Sequence, residues 1–233
     1  MYKDPNRKVG SQRETPLIEF ENDKLIVKGY QKFIIHKKTR HVEYNEKRNK
    51  FTYIDELLRK LNNDYHCKSI VDIGCNSGLT SFIAFNNNFE SIHSLDHDSE
   101  YIDMVRTIKN NCAITNINES VYSFGDTVTQ KFDVVFCGAL IHWIFSLTAN
   151  FRNFRDIMSY LINLTNRFLI IEWVDPNDVS IREFNHIKRN QNEDDEEYNT
   201  LNFERAVRTV ATILSKHDGD SSTRIIYLLE KLS

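Results

Sequence analysis

Cysteines in pairs, long apolar runs and excess positive charge are all missing from this 233-residue chain. No apolar run is long enough to cross a bilayer, so membrane insertion is not expected. The net charge is −3, which gives no overall attraction to nucleic acid. The cysteines show no paired spacing, which favours reduced, buried thiols over disulfides or zinc ligands. They are Cys67, Cys75, Cys112 and Cys137. A reducing, cytoplasmic location is therefore expected.

Glycine is also scarce, with 7 in the whole chain, yet Gly74 and Gly78 lie four positions apart. They follow the run Ser69 to Ile73, which is short and β-branched and so predicts a buried parallel strand. A helical pattern, Leu79 to Phe85, begins directly after them. Glycines placed here indicate positive φ or a ligand that approaches closer than a Cβ allows. The sequence therefore predicts a small-molecule site at a strand–turn–helix unit.

Strand and helix patterns alternate through the rest of the chain. The expected strands are Ser91 to Leu95, Val121 to Phe124, Phe132 to Cys137 and Phe168 to Trp173, and the expected helices are Ser99 to Asn110, residues 153–164 and one from Asn202. Two last strands, Ala211 to Lys216 and Arg224 to Glu230, predict a hairpin. This order predicts an α/β fold, mostly parallel with an antiparallel C-terminal hairpin.

The first 66 residues are expected to form a separate unit, and residues 67–233 the binding domain. Short β-leaning segments between residues 17 and 35 predict a hairpin-like appendage outside the core fold. Residues 37–50 are densely charged, which is typical of a solvated face but also suits a phosphate or carboxylate contact. Thr52 is placed to cap a helix that leads into the first strand of the binding domain. The acidic stretch 179–200 is either a lid or a solvated loop.

The segment Val71 to Gly78 resembles motif I of class I S-adenosylmethionine methyltransferases, and Ser94 to Asp98 resembles their second motif. The resemblance implies a Rossmann-like methyltransferase with S-adenosylmethionine as cofactor. Asp96 then stands where a carboxylate accepts both ribose hydroxyls. The G-x-G-x-x-G fingerprint of dinucleotide sites is missing, which disfavours NAD. The motif residues expected to bind the cofactor are Asp72, Gly74, Cys75, Asn76, Gly78, Asp96 and His97.

Family geometry implies further cofactor contacts. Asp126 after Gly125 is the expected acceptor for the adenine amino group, with Asn118 or Glu119 as the alternative. Gly138 follows the fourth strand at the same edge of the sheet. Arg48 and Tyr53 are expected near the methionine end of the cofactor, unless they are a surface arginine and a packed tyrosine.

A finer resemblance concerns the acceptor. The segments Ala139 to His142, Leu169 to Asp178 and Arg224 to Glu230 resemble a methyltransferase subgroup that includes nodulation-type proteins and glycan-modifying enzymes of large DNA viruses. This implies a sugar hydroxyl as acceptor and, for a viral protein, the host cytoplasm. Two alternatives remain: an RNA methyltransferase acting on a terminal phosphate or ribose, and a non-catalytic, cofactor-binding subunit. The oligomeric state is not predicted.

An alcohol acceptor benefits from a base, because the hydroxyl must lose its proton as the methyl group is transferred. His142 after the fourth strand is the expected base, with a purely structural histidine as the alternative. Glu172 and Asp175 are expected to orient His142 or to bind acceptor hydroxyls. A divalent metal held by these three side chains is the weaker option, because their spacing is not that of a tight metal site.

Overall fold

The computed structural model describes residues 17–45, 49–182 and 198–232. A seven-stranded sheet with the order β10-β11-β9-β8-β5-β6-β7 forms its centre. Its strands are β5 (Ser69–Ile73), β6 (Ser91–Asp96), β7 (Ile117–Val121), β8 (Phe132–Gly138), β9 (Thr165–Val174), β10 (Ala211–Asp218) and β11 (Arg224–Lys231). Strands β5 to β9 are parallel, while β11 runs antiparallel to both β9 and β10. The predicted α/β fold and its closing hairpin are confirmed.

Helices cover both faces of this sheet. They are α1 (Asn49–Tyr65), α2 (Leu79–Asn86), α3 (Ser99–Asn111), α4 (Ile141–Leu147), α5 (Phe154–Asn163), α6 (Val179–Arg182) and α7 (Thr200–Val207). Alternate residues of a strand point to opposite faces, and β5 shows this clearly. Ile70 packs in the core cluster with α1, α2 and α3, whereas Val71 packs in the cluster with α4, α5 and α7. The central strands β5, β8 and β9 are largely buried on both faces, which explains why most of their residues are apolar.

The N-terminal segment forms a four-stranded antiparallel sheet, which is larger than the hairpin-like appendage that the sequence predicts. The strands are β1 (Leu17–Phe20), β2 (Lys24–Lys28), β3 (Phe33–His36) and β4 (Val42–Tyr44). Their buried side chains belong to the same core cluster as those of α1 and α2. Strand β4 lies inside the charged run and was not predicted, because only one of its three residues is buried.

Three local predictions also need correction. The third parallel strand is Ile117–Val121 and not Val121 to Phe124, because residues 123–126 form a turn that Asp126 closes by accepting a hydrogen bond from the backbone N–H of Ser123 at 2.8 Å. Thr52 does not cap α1, which begins three residues earlier at Asn49. Helix α4 directly after β8 was not predicted.

Some expected features lie outside the described residues: the N-terminal stretch to residue 16, Arg48 and the acidic segment 183–197. Across the parts that are described, no helix is long and apolar enough to cross a membrane.

Candidate functional site

The glycine turn between β5 and α2 has the backbone geometry that the sequence predicts. Gly74, Asn76 and Gly78 have φ values of 75°, 53° and 87°. The turn is tied to the neighbouring strand, because the backbone N–H groups of Gly74 and Cys75 donate to the Leu95 carbonyl at 2.8 and 3.0 Å. Asparagine tolerates positive φ better than most residues, which accounts for its place between the two glycines.

Close packing is a second reason for the two glycines. A Cβ at Gly78 would lie 2.9 Å from Cγ2 of Val105 on α3. A Cβ at Gly74 would lie 3.1 Å from Cδ2 of Leu140, in the loop between β8 and α4. The turn is therefore fixed between α3 on one side and the end of β8 on the other.

Asp96 at the end of β6 is oriented by the glycine turn itself. Its Oδ2 accepts a hydrogen bond from the backbone N–H of Asn76 at 2.8 Å, and its Oδ1 accepts one from Asp98 at 3.0 Å. The ring Nδ1 of the exposed His97 lies 3.2 Å from Oδ1. A carboxylate has about four lone-pair sites, so Asp96 keeps acceptor capacity beyond these bonds. A fixed carboxylate beside a tight turn has the chemistry that a ribose diol requires.

Asp72 lies beneath the turn and is only 2% exposed. Its Oδ2 accepts a hydrogen bond from the Ser81 hydroxyl at 2.9 Å, and Ser94 donates in turn to Ser81 at 2.7 Å. The pKa of Asp72 is raised to about 7, mainly because the carboxyl is buried and to a smaller extent because of the Asp96 charge, although hydrogen bonds with Ser81 offset part of the increase. Asp72 therefore supports the turn from inside the protein and does not line its outer surface.

Aromatic side chains surround the segment where adenine is expected. The ring of Phe124 lies 4.8 Å from the rings of both Phe151 and Tyr160. Gly125 has a φ of 103°, and a Cβ there would lie 2.7 Å from Phe151. Asp126 closes the turn with its carboxylate, and its carbonyl accepts a hydrogen bond from the Tyr160 hydroxyl at 2.8 Å.

The two alternative residues for the adenine contact, Asn118 and Glu119, differ in their exposure and in the partners that they already have. Glu119 forms ion pairs with Arg106 at 2.9 Å and Lys109 at 2.5 Å on the edge of the sheet. Asn118, its neighbour on β7, is exposed. Asn118 is therefore the freer of the two to meet a ligand.

The connection from β8 to α4 brings His142 to the carboxyl edge of the sheet. Gly138 ends β8, Ala139 has a positive φ of 49°, and His142 is the second residue of α4. His142 is 3% exposed, and its ring centroid lies 5.3 Å from that of Trp143. The histidine therefore lies within the wall of the site and not in a free loop.

Glu172 on β9 is the partner of Gly138 in the parallel register, so it lies at the same edge. It is 1% exposed, and Lys50 of α1 contacts both of its carboxylate oxygens, at 3.0 and 3.2 Å. Nη1 of Arg224 lies 3.6 Å from Oε1. The sequence suggests Lys50 only as one of several basic residues suited to a phosphate or carboxylate contact, because within the charged run nothing distinguishes a buried lysine from an exposed one.

Asp175 and Tyr53 make contacts that are independent of the glycine turn. Asp175 accepts hydrogen bonds from the backbone N–H of Asn177 at 2.9 Å and from the Thr200 hydroxyl at 3.1 Å. The ring of Tyr53 stacks on His217 at 3.8 Å. His217 belongs to β10, four positions from β5 in the sheet. The structure thus brings His142 and Glu172 to one edge of the sheet, and it packs Tyr53 against His217 of β10.

No group of three or more histidine, cysteine, aspartate or glutamate side chains within residues 17–45, 49–182 and 198–232 is arranged to hold a metal ion. The free thiols are buried, and burial raises the pKa of Cys67 to about 11.

Comparison with known proteins decides the family. The model of the family described as ribosomal protein L11 methyltransferase (PrmA) matches residues 35–163, more than half of the chain. The chain belongs to this family. It is an S-adenosylmethionine-dependent methyltransferase with the class I fold, and S-adenosylmethionine is its cofactor. A sequence search of curated proteins finds no match.

Solved structures share this fold at low sequence identity. An O-methyltransferase family protein from Burkholderia thailandensis is 12% identical with a TM-score of 0.57, over 78% of this chain and 56% of that one. The N-methyltransferase NodS from Bradyrhizobium japonicum WM9, in complex with S-adenosyl-L-homocysteine, is 8% identical with a TM-score of 0.57, over 78% and 87%. The ribosomal protein L11 methylase from Lactobacillus delbrueckii subsp. bulgaricus is 15% identical with a TM-score of 0.54, over 78% and 79%. The chain spans little more than half of the Burkholderia protein, and the three neighbours differ in acceptor.

Proposed function

We propose that this methyltransferase acts on a hydroxyl group of a sugar or glycan, with His142 as the base. The observation that carries the proposal is the balance of charge at the carboxyl edge, where buried cations and carboxylates neutralise each other. The cofactor residues proposed are the turn residues 74–78, with Asp96 on the ribose and the segment 124–126 near adenine.

The paired charges at this edge favour a neutral acceptor. Lys50 is bound to Glu172, and Arg224 is bound to Asp178 through Nε at 3.1 Å and Nη2 at 3.3 Å. Both cations are thereby occupied, so neither is available to a phosphate group. An RNA acceptor would instead require an excess of free basic side chains.

His142 supplies the step that an alcohol requires. As the hydroxyl oxygen of the acceptor gains the methyl group, its proton passes to the imidazole, and S-adenosylhomocysteine is the other product. Glu172 lies at the end of the neighbouring strand, where its carboxylate can accept hydrogen bonds from other acceptor hydroxyls. The ion pair with Lys50 holds that carboxylate in place. We assign Glu172 to acceptor binding and Asp175 to the loop that supports it.

A protein amine is the second candidate acceptor, because the family model is described as that of ribosomal protein L11 methyltransferases. An unprotonated amine is already a nucleophile, so this reaction depends less on a base within the site.

Mass spectrometry of methyl incorporation separates the candidate acceptors. The enzyme is incubated with S-adenosylmethionine and, separately, with deoxysugar glycans, RNAs with terminal phosphates and a ribosomal protein L11. We expect methylation of a glycan hydroxyl only. Methylation of the protein or the RNA, with the glycans unchanged, would replace the proposed acceptor. A folded protein that binds the cofactor and methylates none of them would favour the non-catalytic alternative.

His142→Ala is expected to lower kcat about a hundredfold or more, the usual contribution of a general base, with unchanged affinity for S-adenosylhomocysteine. Turnover and calorimetric titration are measured on the same preparation. His41→Ala, at an exposed histidine between β3 and β4, is the matched control and should retain turnover within a few-fold. Near-normal turnover in His142→Ala would return this residue to a structural role. A parallel loss of turnover and cofactor affinity would show that the substitution deforms the pocket.

A further inference from the structure

The N-terminal sheet holds α2 at both ends. At its start, Oε1 of Gln31 accepts a hydrogen bond from the backbone N–H of Leu79 at 3.1 Å. At its end, Asn86 accepts from the backbone N–H of Val42 at 2.8 Å and donates to the Arg40 carbonyl at 2.9 Å. Three hydrogen bonds, in two separate attachments, thus join the N-terminal sheet and its turns to α2.

Apolar packing joins the two attachments along the helix. The rings of Phe33 on β3 and Phe82 on α2 lie 5.9 Å apart, and both side chains are buried. The sheet and α2 also share one core cluster. The N-terminal sheet is therefore attached to α2 by hydrogen bonds at both ends and by apolar packing between them.

The attachment at Gln31 replaces a cap that the helix lacks. The N-cap residue of α2 is Gly78, which has no side chain to accept a hydrogen bond from the first turn. In most helices a serine, threonine, aspartate or asparagine at the N-cap does this. Here the motif requires glycine, with its φ of 87°, so the acceptor comes from a loop 48 residues away.

The position of this bond connects it to the cofactor turn. Leu79 directly follows Gly78, and the backbone N–H of Gly78 donates back to the Cys75 carbonyl at 2.9 Å. Asn76, between them, donates to Asp96. Three hydrogen bonds, together with the peptide bonds between neighbouring residues, therefore connect Gln31 to the first turn of α2, the glycine turn and the Asp96 carboxylate.

We propose that Gln31 is a positioning residue of the cofactor site, through which the N-terminal sheet fixes the start of α2 and hence the glycine turn. Gln31 accepts a hydrogen bond from the Leu79 N–H, and it affects cofactor binding indirectly, by fixing the glycine turn. This role rests on S-adenosylmethionine binding at this turn. If Gln31 has it, the N-terminal sheet contributes to cofactor binding.

The test compares substitutions that keep or remove the acceptor. Gln31→Met preserves length but cannot accept a strong hydrogen bond, whereas Gln31→Glu can accept one. Asn86→Ala removes the attachment at the opposite end of α2 and serves as the matched control. For each variant, calorimetry gives Kd for S-adenosylhomocysteine, and thermal unfolding gives Tm.

Gln31→Met should raise Kd about fivefold, which corresponds to a hydrogen bond of about 1 kcal/mol. Gln31→Glu should stay within about twofold of the wild type, and Asn86→Ala should lower Tm with little change in Kd. Unchanged or tighter binding by Gln31→Met would overturn the proposal. So would an equal loss of affinity in Asn86→Ala, which would assign the effect to general destabilisation. If no form of the protein, wild type included, binds the ligand, the cofactor assignment itself fails.

Discussion

Asparagine at position 72 should change how the stability of the fold depends on pH. Asp72 is fully enclosed beneath the glycine turn, and its pKa is raised from 3.8 to about 7, mainly by burial. The folded state therefore holds a proton that the unfolded chain releases near pH 4. Between pH 4 and pH 7 the wild-type protein loses stability as this mismatch grows. An asparagine does not ionise, so Asp72→Asn escapes the loss.

The magnitude follows from the shift in pKa. Each unit corresponds to about 1.36 kcal/mol, so a shift of roughly 3 units gives about 4 kcal/mol. The stability of Asp72→Asn relative to wild type should therefore rise by about 4 kcal/mol from pH 4 to pH 8. The substitution also changes the hydrogen bond with Ser81. The free-energy cost of that change is the same at every pH, so it shifts the whole stability curve and does not alter the rise of about 4 kcal/mol.

Urea unfolding at a series of pH values from 5 to 9 measures most of the change. Asp133→Asn is the control. Burial alone would raise the pKa of Asp133, but hydrogen bonds from the backbone N–H groups of Lys68 and Ser69 outweigh it and hold the pKa below 3.8. Its effect on stability should be constant over this range. Parallel curves for wild type and Asp72→Asn would refute the reasoning, because they would show that Asp72 ionises in the fold as it does in water.

Two further substitutions test the edges of the site. Lys50→Met should cost about 3 kcal/mol of unfolding free energy, since it removes the closer of the two cations that the described residues place beside the buried Glu172. Lys50→Met/Glu172→Gln should recover most of that loss in denaturant titrations. A double variant no more stable than the single one would contradict this. Asp96→Ala should weaken S-adenosylhomocysteine binding by about 1 to 3 kcal/mol in calorimetry, because the ribose hydroxyls lose their acceptor; unchanged affinity would assign the ribose to another residue.

The centre of the fold could be predicted because its signals are local. Strand β5 is short, β-branched and buried from residue 70 to residue 73, and Gly74 and Gly78 stand out in a glycine-poor chain. The positive φ values could be predicted from residue type alone, because glycine, and to a lesser extent asparagine, tolerates this backbone conformation. The position of Glu172 near Gly138 could also be predicted, because parallel strands end at a common edge of the sheet.

The features that the sequence did not predict, or could not single out, depend on tertiary contacts or on short edge strands. Strands β4 and β7 each bury a single residue, so neither gives an apolar pattern. Lys50 and Gln31 are polar residues with polar neighbours in the sequence. Their hydrogen-bond partners lie 122 and 48 residues further along the chain. No rule of spacing connects such pairs, because the contacts exist only after α1 and the N-terminal sheet have packed on the central domain.

A crystal structure of the protein with S-adenosylhomocysteine would test the account most directly. We expect the ribose hydroxyls within hydrogen-bond distance of the Asp96 carboxylate, the adenine near Phe124, and the sulfur facing the edge formed by His142 and Glu172. A nucleoside bound elsewhere, or a sulfur directed away from His142, would contradict the proposed site and the role of this histidine as the base.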